Sequence, residues 1–334
     1  MNSVLKRYDK ILIVAYEAGG AQILSSLVRL SKFKDRFLYC LAGPAIGIFE
    51  HKIENFQNDN LEVISSLERE RDFVLTGSSL VPEWERNAIK LAKKEGVSCA
   101  TFVDHWVNYR TRFLPVQLQS SEIGDEVFRN YLPDKVIVSD EYGMRFALDS
   151  GIQRERLIKV PNPNFVEVRK EFKKISEMKN NKYMKKRGKT TFLYASEPIF
   201  DDFEKIYGDG NYWGYTEWDV AECIVNFVRK YHDKIEKFIL RLHPNEELTK
   251  YDDFLSKYPE VSLITISKKV NILDDLDNVD IVIGADTMAL VIGLICGKEI
   301  FSFIPKGSKR ITRLPHKEII RINNLEAIWE KVIN

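Results

Sequence analysis

The sequence predicts an α/β fold of two doubly wound domains, and three features carry that expectation. Short apolar runs recur at 11–15, 99–103, 135–139, 191–195 and 280–284, each followed by a segment with helical spacing. Such strand–helix alternation builds parallel sheets with helices on both faces. The alternation runs through two series, divided by Val160-Pro161-Asn162-Pro163 and a strongly charged stretch. Several strands end in polar or glycine residues directly before a new helix, at the carboxyl edge where open α/β sheets bind their ligands.

In the first series, residues 11–15 form a buried strand that breaks at Glu17-Ala18-Gly19-Gly20 and re-enters a helix through Gln22-Ile23-Leu24. Residues 36–41 form a second strand, closed by Gly43-Pro44, and 61–64 and 73–76 are short strands. Pro82 opens a helix to Lys94 and Gly96 ends it, because proline suits a first helical turn and glycine a left-handed C-terminus. Strands at 99–103 and 135–139 follow, with a helix from Asp140 to Asp149 stopped by Gly151. The expected divisions are an acceptor-side domain at 1–163, a basic helix and linker at 164–190, and a nucleotide-binding domain at 191–334. The second series begins with the strand at 191–195. Thr216-Glu217-Trp218-Asp219 is a capped helix start. A strand at 237–242, a helix near 247–257 and short strands near Val261 and Ile281 come next. An apolar helix at 290–295, a last strand at 299–303 and a terminal helix at 325–333 complete the chain.

With 44% hydrophobic and 30% charged residues among 334, each series can bury a core of its own. A formal net charge of +1 gives no global attraction to nucleic acid, so steering must come from local patches. The first ten residues are polar and no apolar stretch approaches the ~20 residues that span a bilayer, so a cytoplasmic protein without a signal peptide is expected. Cys40, Cys99, Cys223 and Cys296 lie far apart in apolar patterns, which reads as reduced structural thiols. Residues 167–191 hold ten Lys/Arg against three Glu, with Val168, Phe172 and Ile175 at helical spacing. That stretch is either an interdomain helix with its apolar stripe on a core or, through 168–189, a peripheral contact with anionic lipid.

Arg241-Leu242-His243-Pro244 ends an apolar strand and delivers an imidazole to a sheet edge, its turn fixed by proline. About forty residues on, the strand at 280–284 runs into Ala285-Asp286-Thr287 and an apolar helix. An imidazole at one edge and a hydroxyl at a helix N-terminus at another suit a phosphate or diphosphate. His243 would donate to a phosphate oxygen and, when protonated, stabilise a leaving nucleotide. Thr287 and the amides after it would hold the same phosphate, and Arg241 and Pro244 belong to this group. The alternative for Asp286 and Thr287 is plain helix capping; a carboxylate repels phosphate, so Asp286 suits a cap or a ribose.

These motifs resemble the His-Pro and paired-hydroxyl motifs of bacterial sialyltransferase-like enzymes. Kdo transferases and glycerophosphotransferases of surface polysaccharides carry a similar His-Pro. The whole chain resembles GT-B glycosyltransferases, in which two Rossmann-like domains face a cleft and the second holds the nucleotide-sugar. The resemblance implies transfer from a CMP-linked acidic sugar, or else a UDP-sugar, to a glycan or lipid-linked glycan acceptor of lipopolysaccharide or capsule type. Two departures stand out: no acidic-acidic-Gly motif is evident, and Asp286 occupies the place of the second hydroxyl. A nucleotide-sugar 2-epimerase or hydrolase shares the architecture and the phosphate-binding histidine, although its Ser-Gly-Gly helix entry is missing here. A non-catalytic nucleotide- or glycan-binding protein is the third reading.

An inverting transferase needs a base for the acceptor hydroxyl. The strand end Thr101-Phe102-Val103-Asp104-His105-Trp106 offers Asp104 first and His105 second, with Glu17 third; the alternative is a structural Asp-His bond. Gly19 and Gly20 would let backbone approach a ligand near the transferred sugar, or simply make a tight turn. Ser196 and Glu197, at the end of the strand at 191–195, are placed for phosphate and ribose. Tyr207, Tyr212, Trp213 and Tyr215 follow, as stacking surfaces for sugar or base, or as satellite core. The acidic clusters at 201–202, 252–253 and 274–277 lie at helix starts and turns without His or Cys ligand spacing, so neither a metal nor another cofactor is expected.

Overall fold

Each strand series closes into a six-stranded parallel sheet. The computed structural model describes residues 5–179, 188–243 and 246–332, and the chain divides into two units, Met1–Glu167 and Val168–Asn334. The first unit runs β1 (Lys10–Ala15), α1 (Ala18–Leu30), β2 (Phe37–Leu41), α2 (Pro44–Lys52), β3 (Asp72–Thr76), α3 (Trp84–Glu95), β4 (Ser98–Phe102), α4 (Tyr109–Phe113), α5 (Asp125–Arg129), β5 (Lys135–Val138), α6 (Glu141–Asp149) and β6 (Leu157–Lys159). Its strand order is β2-β1-β3-β4-β5-β6. Side-chain alternation sorts each strand onto two cores. Ile11, Ile13 and Ala15 pack with Phe73, Leu75 and Leu24 and Leu27 of α1. Leu12 and Val14 pack with Val74, Cys99 and Ala88 and Ala92 of α3. Because both faces are covered, the strands read as unbroken apolar runs.

Helix α7 (Pro163–Lys179) crosses the division between the units. The second unit continues through β7 (Thr190–Ala195), α8 (Ile199–Tyr207), α9 (Glu217–Lys230), β8 (Ile235–Arg241), α10 (Asp252–Ser256), β9 (Ile264–Ile266), α11 (Ile272–Leu276), β10 (Ile281–Gly284), α12 (Met288–Ile295), β11 (Glu299–Phe303), β12 (Ile320–Ile322) and α13 (Ala327–Val332). Its order, β12-β11-β10-β7-β8-β9, is that of a dinucleotide-binding Rossmann sheet. Phe192, Tyr194, Phe238, Leu240, Ile281, Ile283 and Phe301 form one core face with Val220, Ile224 and Val228 of α9. Helix α9 opens with the expected capping box between Thr216 and Asp219. Two Rossmann-like units are therefore present.

Several local expectations need correcting. Residues 61–64 are 3-10 helix, not strand, because the Asn60 side chain accepts from the Glu62 amide and caps the turn. The strand expected near Val261 begins at Ile264; Pro259 at the start of a 3-10 turn shifts it. Only Asp252–Ser256 of the helix expected at 247–257 forms. The aromatic segment after β7 contains a helix, α8, stopped by Gly208 at φ +67°. In the basic stretch, Phe172 and Ile175 are half-buried, Lys298 lies 5.3 Å over the Phe172 ring and Ser176 donates to Asp277 at 3.1 Å. Phe172 and Ser176 of α7 thus meet residues of the second unit; residues 180–187 lie outside the described residues. Among the described residues no helix is long and apolar enough to cross a membrane.

Candidate functional site

In the first unit the strand order reverses between β1 and β3, which opens a crevice at their carboxyl ends. Glu17, Ser78 and Asp104 arrive there from the loops after β1, β3 and β4. Arg112 of α4, only 5% exposed, donates through Nη1 to Asp104 Oδ1 at 2.7 Å and to Ser78 Oγ at 2.8 Å. Ser78 Oγ donates in turn to Asp104 Oδ1 at 3.1 Å. Asp104 Oδ2 takes no hydrogen bond among the described residues and lies against Gly19, where a β-carbon would stand 1.8 Å from it. At Gly20 a β-carbon would meet the Gly77 backbone at 3.0 Å. The two glycines therefore make room for Asp104 and for the neighbouring loop.

Glu17 is half-buried, and its Oε1 accepts from the Leu80 amide at 3.0 Å. Burial pushes its pKa up and the Asp104 charge adds to the rise, while the Leu80 amide and Arg112 offset part of it. Beneath it Glu85, 2% exposed, accepts from the Tyr16 amide and from Ser79 Oγ, both at 2.8 Å, and ties the loops after β1 and β3 together. His105 accepts the Trp106 amide at Nδ1, 2.9 Å, so its neutral ring carries the proton on Nε2. That geometry disfavours His105 as a base. Trp106 donates its indole N–H to Asp140, the N-cap of α6.

In the second unit the order reverses between β7 and β10. Thr287 is the N-cap of α12, its Oγ1 accepting from the Ala289 amide at 3.3 Å. The Asp286 carboxylate, with none of its side chain exposed, accepts from Arg313 N and Nε at 2.8 Å each and from Thr312 Oγ1 at 3.0 Å. Glu197 Oε1 accepts from the Asp286 amide at 2.6 Å, and its Oε2 pairs with Arg310 Nη2 at 2.7 Å. Burial opposes the Arg310 charge, but Glu197, Tyr215 and Asp286 outweigh it and raise the pKa. The loop after β11 is thus strapped to the end of β10 by paired charges. Arg313 stays 53% exposed, and its terminal nitrogens have no partner among the described residues.

His243, half-buried after β8, donates its amide to Glu246 Oε2 at 2.7 Å and accepts the Glu246 amide at 2.9 Å. Pro244, expected beside it, lies outside the described residues. Four residues assigned from sequence to the donor site have other work. Asp286 and Glu197 anchor the strap, because a buried carboxylate needs its cation. Ser196, 2% exposed, bonds Tyr251 Oη at 2.9 Å and Glu246 Oε1 at 3.2 Å. Arg241 pairs with Asp275 at 2.6 Å and donates to the carbonyls of Lys269 and Val270. Sequence reasoning missed Arg112, Arg313 and Glu246. The run Lys306, Lys309, Arg310 and Arg313 just after a strand end was the available signal for the strap; Arg112 gave none.

Tyr207 and Tyr212 stack at 4.0 Å with Tyr207 51% exposed, whereas Tyr215 is buried and its hydroxyl accepts from Arg310 at 3.2 Å. The acidic pairs lie in the first turns of α8, α10 and α11, where they favour the helix dipole. Among the described residues no group of three or more His, Cys, Asp or Glu is placed to hold a metal. Cys40 and Cys99 are free, buried thiols, each pushed up to about 12 chiefly by burial.

No protein-family model and no curated protein matches the sequence. Solved structures are similar in fold. UDP-GlcNAc 2-epimerase from Methanocaldococcus jannaschii is similar at 16% identity and TM-score 0.62, over 97% of this chain and 92% of that one. Anabaena Alr3699/HepE, solved with UDP, is similar at 11% identity and TM-score 0.58, over 97% and 90%. The wall teichoic acid polymerase TagF, solved with CDPG, is similar at 11% identity and TM-score 0.50, over 98% and 78%. These likenesses show the fold: a GT-B arrangement spanning nearly the whole chain.

Replacing Arg112 by Met should leave the Asp104 carboxylate without its cation and cost roughly 3 kcal/mol of stability. Urea unfolding measures this, and Asp104→Asn, which keeps a hydrogen-bonding partner for Arg112, should cost less.

Proposed function

We propose that the protein is a glycosyltransferase of the GT-B type that uses a nucleotide-sugar donor. The observation that carries this reading is the carboxyl edge of the second unit. An exposed guanidinium, Arg313, is held by a buried carboxylate directly beside Thr287 and the N-terminus of α12, at the switch point of a sheet in Rossmann order. Guanidinium forks and helix amides are the groups that bind phosphate. His243, at the end of β8, is assigned as a further phosphate donor. Protein cations and amides carry the phosphate charge in this reading, so no divalent ion or other cofactor enters it. The structural neighbours solved with UDP support a nucleotide donor, with UDP- and CMP-sugars as candidates.

The first unit supplies the base. Asp104 Oδ1 is committed to Arg112 and Ser78. Glu17, with its raised pKa, is the better acceptor for a hydroxyl proton, and Asp104 then tunes it electrostatically. The acceptor is a glycan or lipid-linked glycan of a surface polysaccharide, reached in the cytoplasm or at the inner face of a membrane.

A nucleotide-sugar 2-epimerase is the second reading, favoured by the similarity to such an enzyme over 97% of this chain and by the paired carboxylates Glu17 and Asp104. Donor turnover measured with and without glycan acceptor separates the two: acceptor-dependent nucleotide release supports transfer, and C2 inversion without acceptor supports epimerisation.

His243→Ala should weaken UDP or CMP binding by about 10- to 100-fold, the value of one charge-assisted phosphate bond, in titration calorimetry. Unchanged affinity removes His243 from the phosphate site.

Turnover should rise with pH as Glu17 ionises, with an apparent pKa above the ordinary carboxylate value, because only the carboxylate accepts the proton. Glu17→Gln should lower the rate about 10²–10⁴-fold and abolish that limb of the pH–rate profile, with nucleotide affinity retained.

A further inference from the structure

Lys250 lies between two carboxylates that are themselves almost wholly enclosed. Its side chain is 12% exposed, and those of its partners Glu217 and Glu246 are each 1% exposed. Nζ pairs with Glu217 Oε1 and, at 2.8 Å, with Glu246 Oε1. The remaining oxygen of each carboxylate accepts a backbone amide at the carboxyl edge of the sheet. Glu217 Oε2 takes the Phe200 amide at 2.8 Å, in the first turn of α8. Glu246 Oε2 takes the His243 amide at 2.7 Å. Ser196, directly after β7, donates to Glu246 Oε1 at 3.2 Å. One ammonium therefore links the loops after β7 and β8 through two charge-assisted amide bonds.

We propose that Glu217, Lys250 and Glu246 form a positioning triad that holds the His243 amide and the start of α8 in fixed register for binding the donor phosphate. These are positioning residues, since none is assigned a contact with substrate. The assignment rests on the phosphate role of His243. Two buried carboxylates and one ammonium carry a net negative charge, which the Phe200, His243 and Ser196 donors delocalise. Burial opposes the Lys250 charge, but the bonds from Glu217 and Glu246 prevail and raise its pKa, so the ammonium persists throughout the neutral range. Without it the two carboxylates would face each other uncompensated, and either relief, uptake of a proton or a turn to water, weakens the hold on the amides they accept.

The test is amide hydrogen exchange on the full-length protein, alone, with UDP affinity measured in parallel by calorimetry. Lys250→Met should speed exchange at the His243 and Phe200 amides by about tenfold or more, while the amides of β10 and β11 stay within about threefold of the native rates. UDP affinity should fall by about tenfold or more. The double variant Lys250→Met with Glu246→Gln removes one of the two stranded charges and should recover part of both losses. Exchange that quickens uniformly across the second unit, or that leaves both amides unchanged, overturns the proposal. If Lys250→Met fails to fold, Glu246→Ala, which deletes the acceptor of the His243 amide, is judged by the same two amides: His243 should quicken and Phe200 should not. If His243→Ala binds UDP as tightly as the native protein, the phosphate role fails, and the exchange rates still decide whether the triad holds the amide.

Discussion

Asp286 sits where β10 gives way to α12, and its carboxylate has no exposed surface. A charge in that position must be matched by donors from the protein, and the match it finds shapes the whole rim of the second sheet. Arg313 and Thr312 close on it from the loop after β11, and Arg310 joins it to Glu197 at the end of β7. The loop is thereby brought back over the strand ends, and one guanidinium is left half in solvent with its orientation set by the buried acid. A surface arginine alone would sample many rotamers; this one has lost most of that freedom before any anion arrives, which lowers the entropic cost of binding.

The first sheet solves the same problem with the opposite balance. Arg112 is buried and spends itself on Asp104 and Ser78, so no free cation faces the edge from that pair. The proposed base there is Glu17, held by the backbone amides of Leu80 and Val81 and made more basic by burial and by its acidic neighbour. In the proposed reading the two units thus present contrasting rims, one suited to receive an anion and the other to take up a proton. That division of labour follows from which partner of each ion pair is buried.

The fold was legible because both sheets are covered on two faces, so that strands such as β1 and β10 appear as unbroken apolar runs and the helices between them as amphipathic ones. Short elements were hidden where a local side-chain cap beat propensity, as Asn60 does ahead of Val63 and Ile64, both of strand-forming type. The candidate site was legible in part. His243 and Thr287 stand at strand ends as expected, since their motifs span a strand–helix junction. The roles of Asp286, Glu197, Ser196 and Arg241 were not, because each depends on a partner distant in sequence: Asp286 on Arg313, Ser196 on Tyr251, Arg241 on Asp275. Spacing along the chain carries no record of such pairings.

The placement of β7 also bears on how the chain is made. It is the first strand of its unit to be synthesised and lies at the middle of the sheet, paired on one side with β8 and on the other with β10. Tyr194 meets Leu240 on the first side and Ile283 on the second. On a ribosome the β8 side can be satisfied early, whereas the β10 edge must wait for several intervening helices and β9. Until then an apolar strand with unpaired amides and carbonyls remains open to pairing with other chains. Growth in cells at elevated temperature, or with little chaperone, should therefore tax this unit before the first, whose first strand, β1, finds both neighbours in β2 and β3.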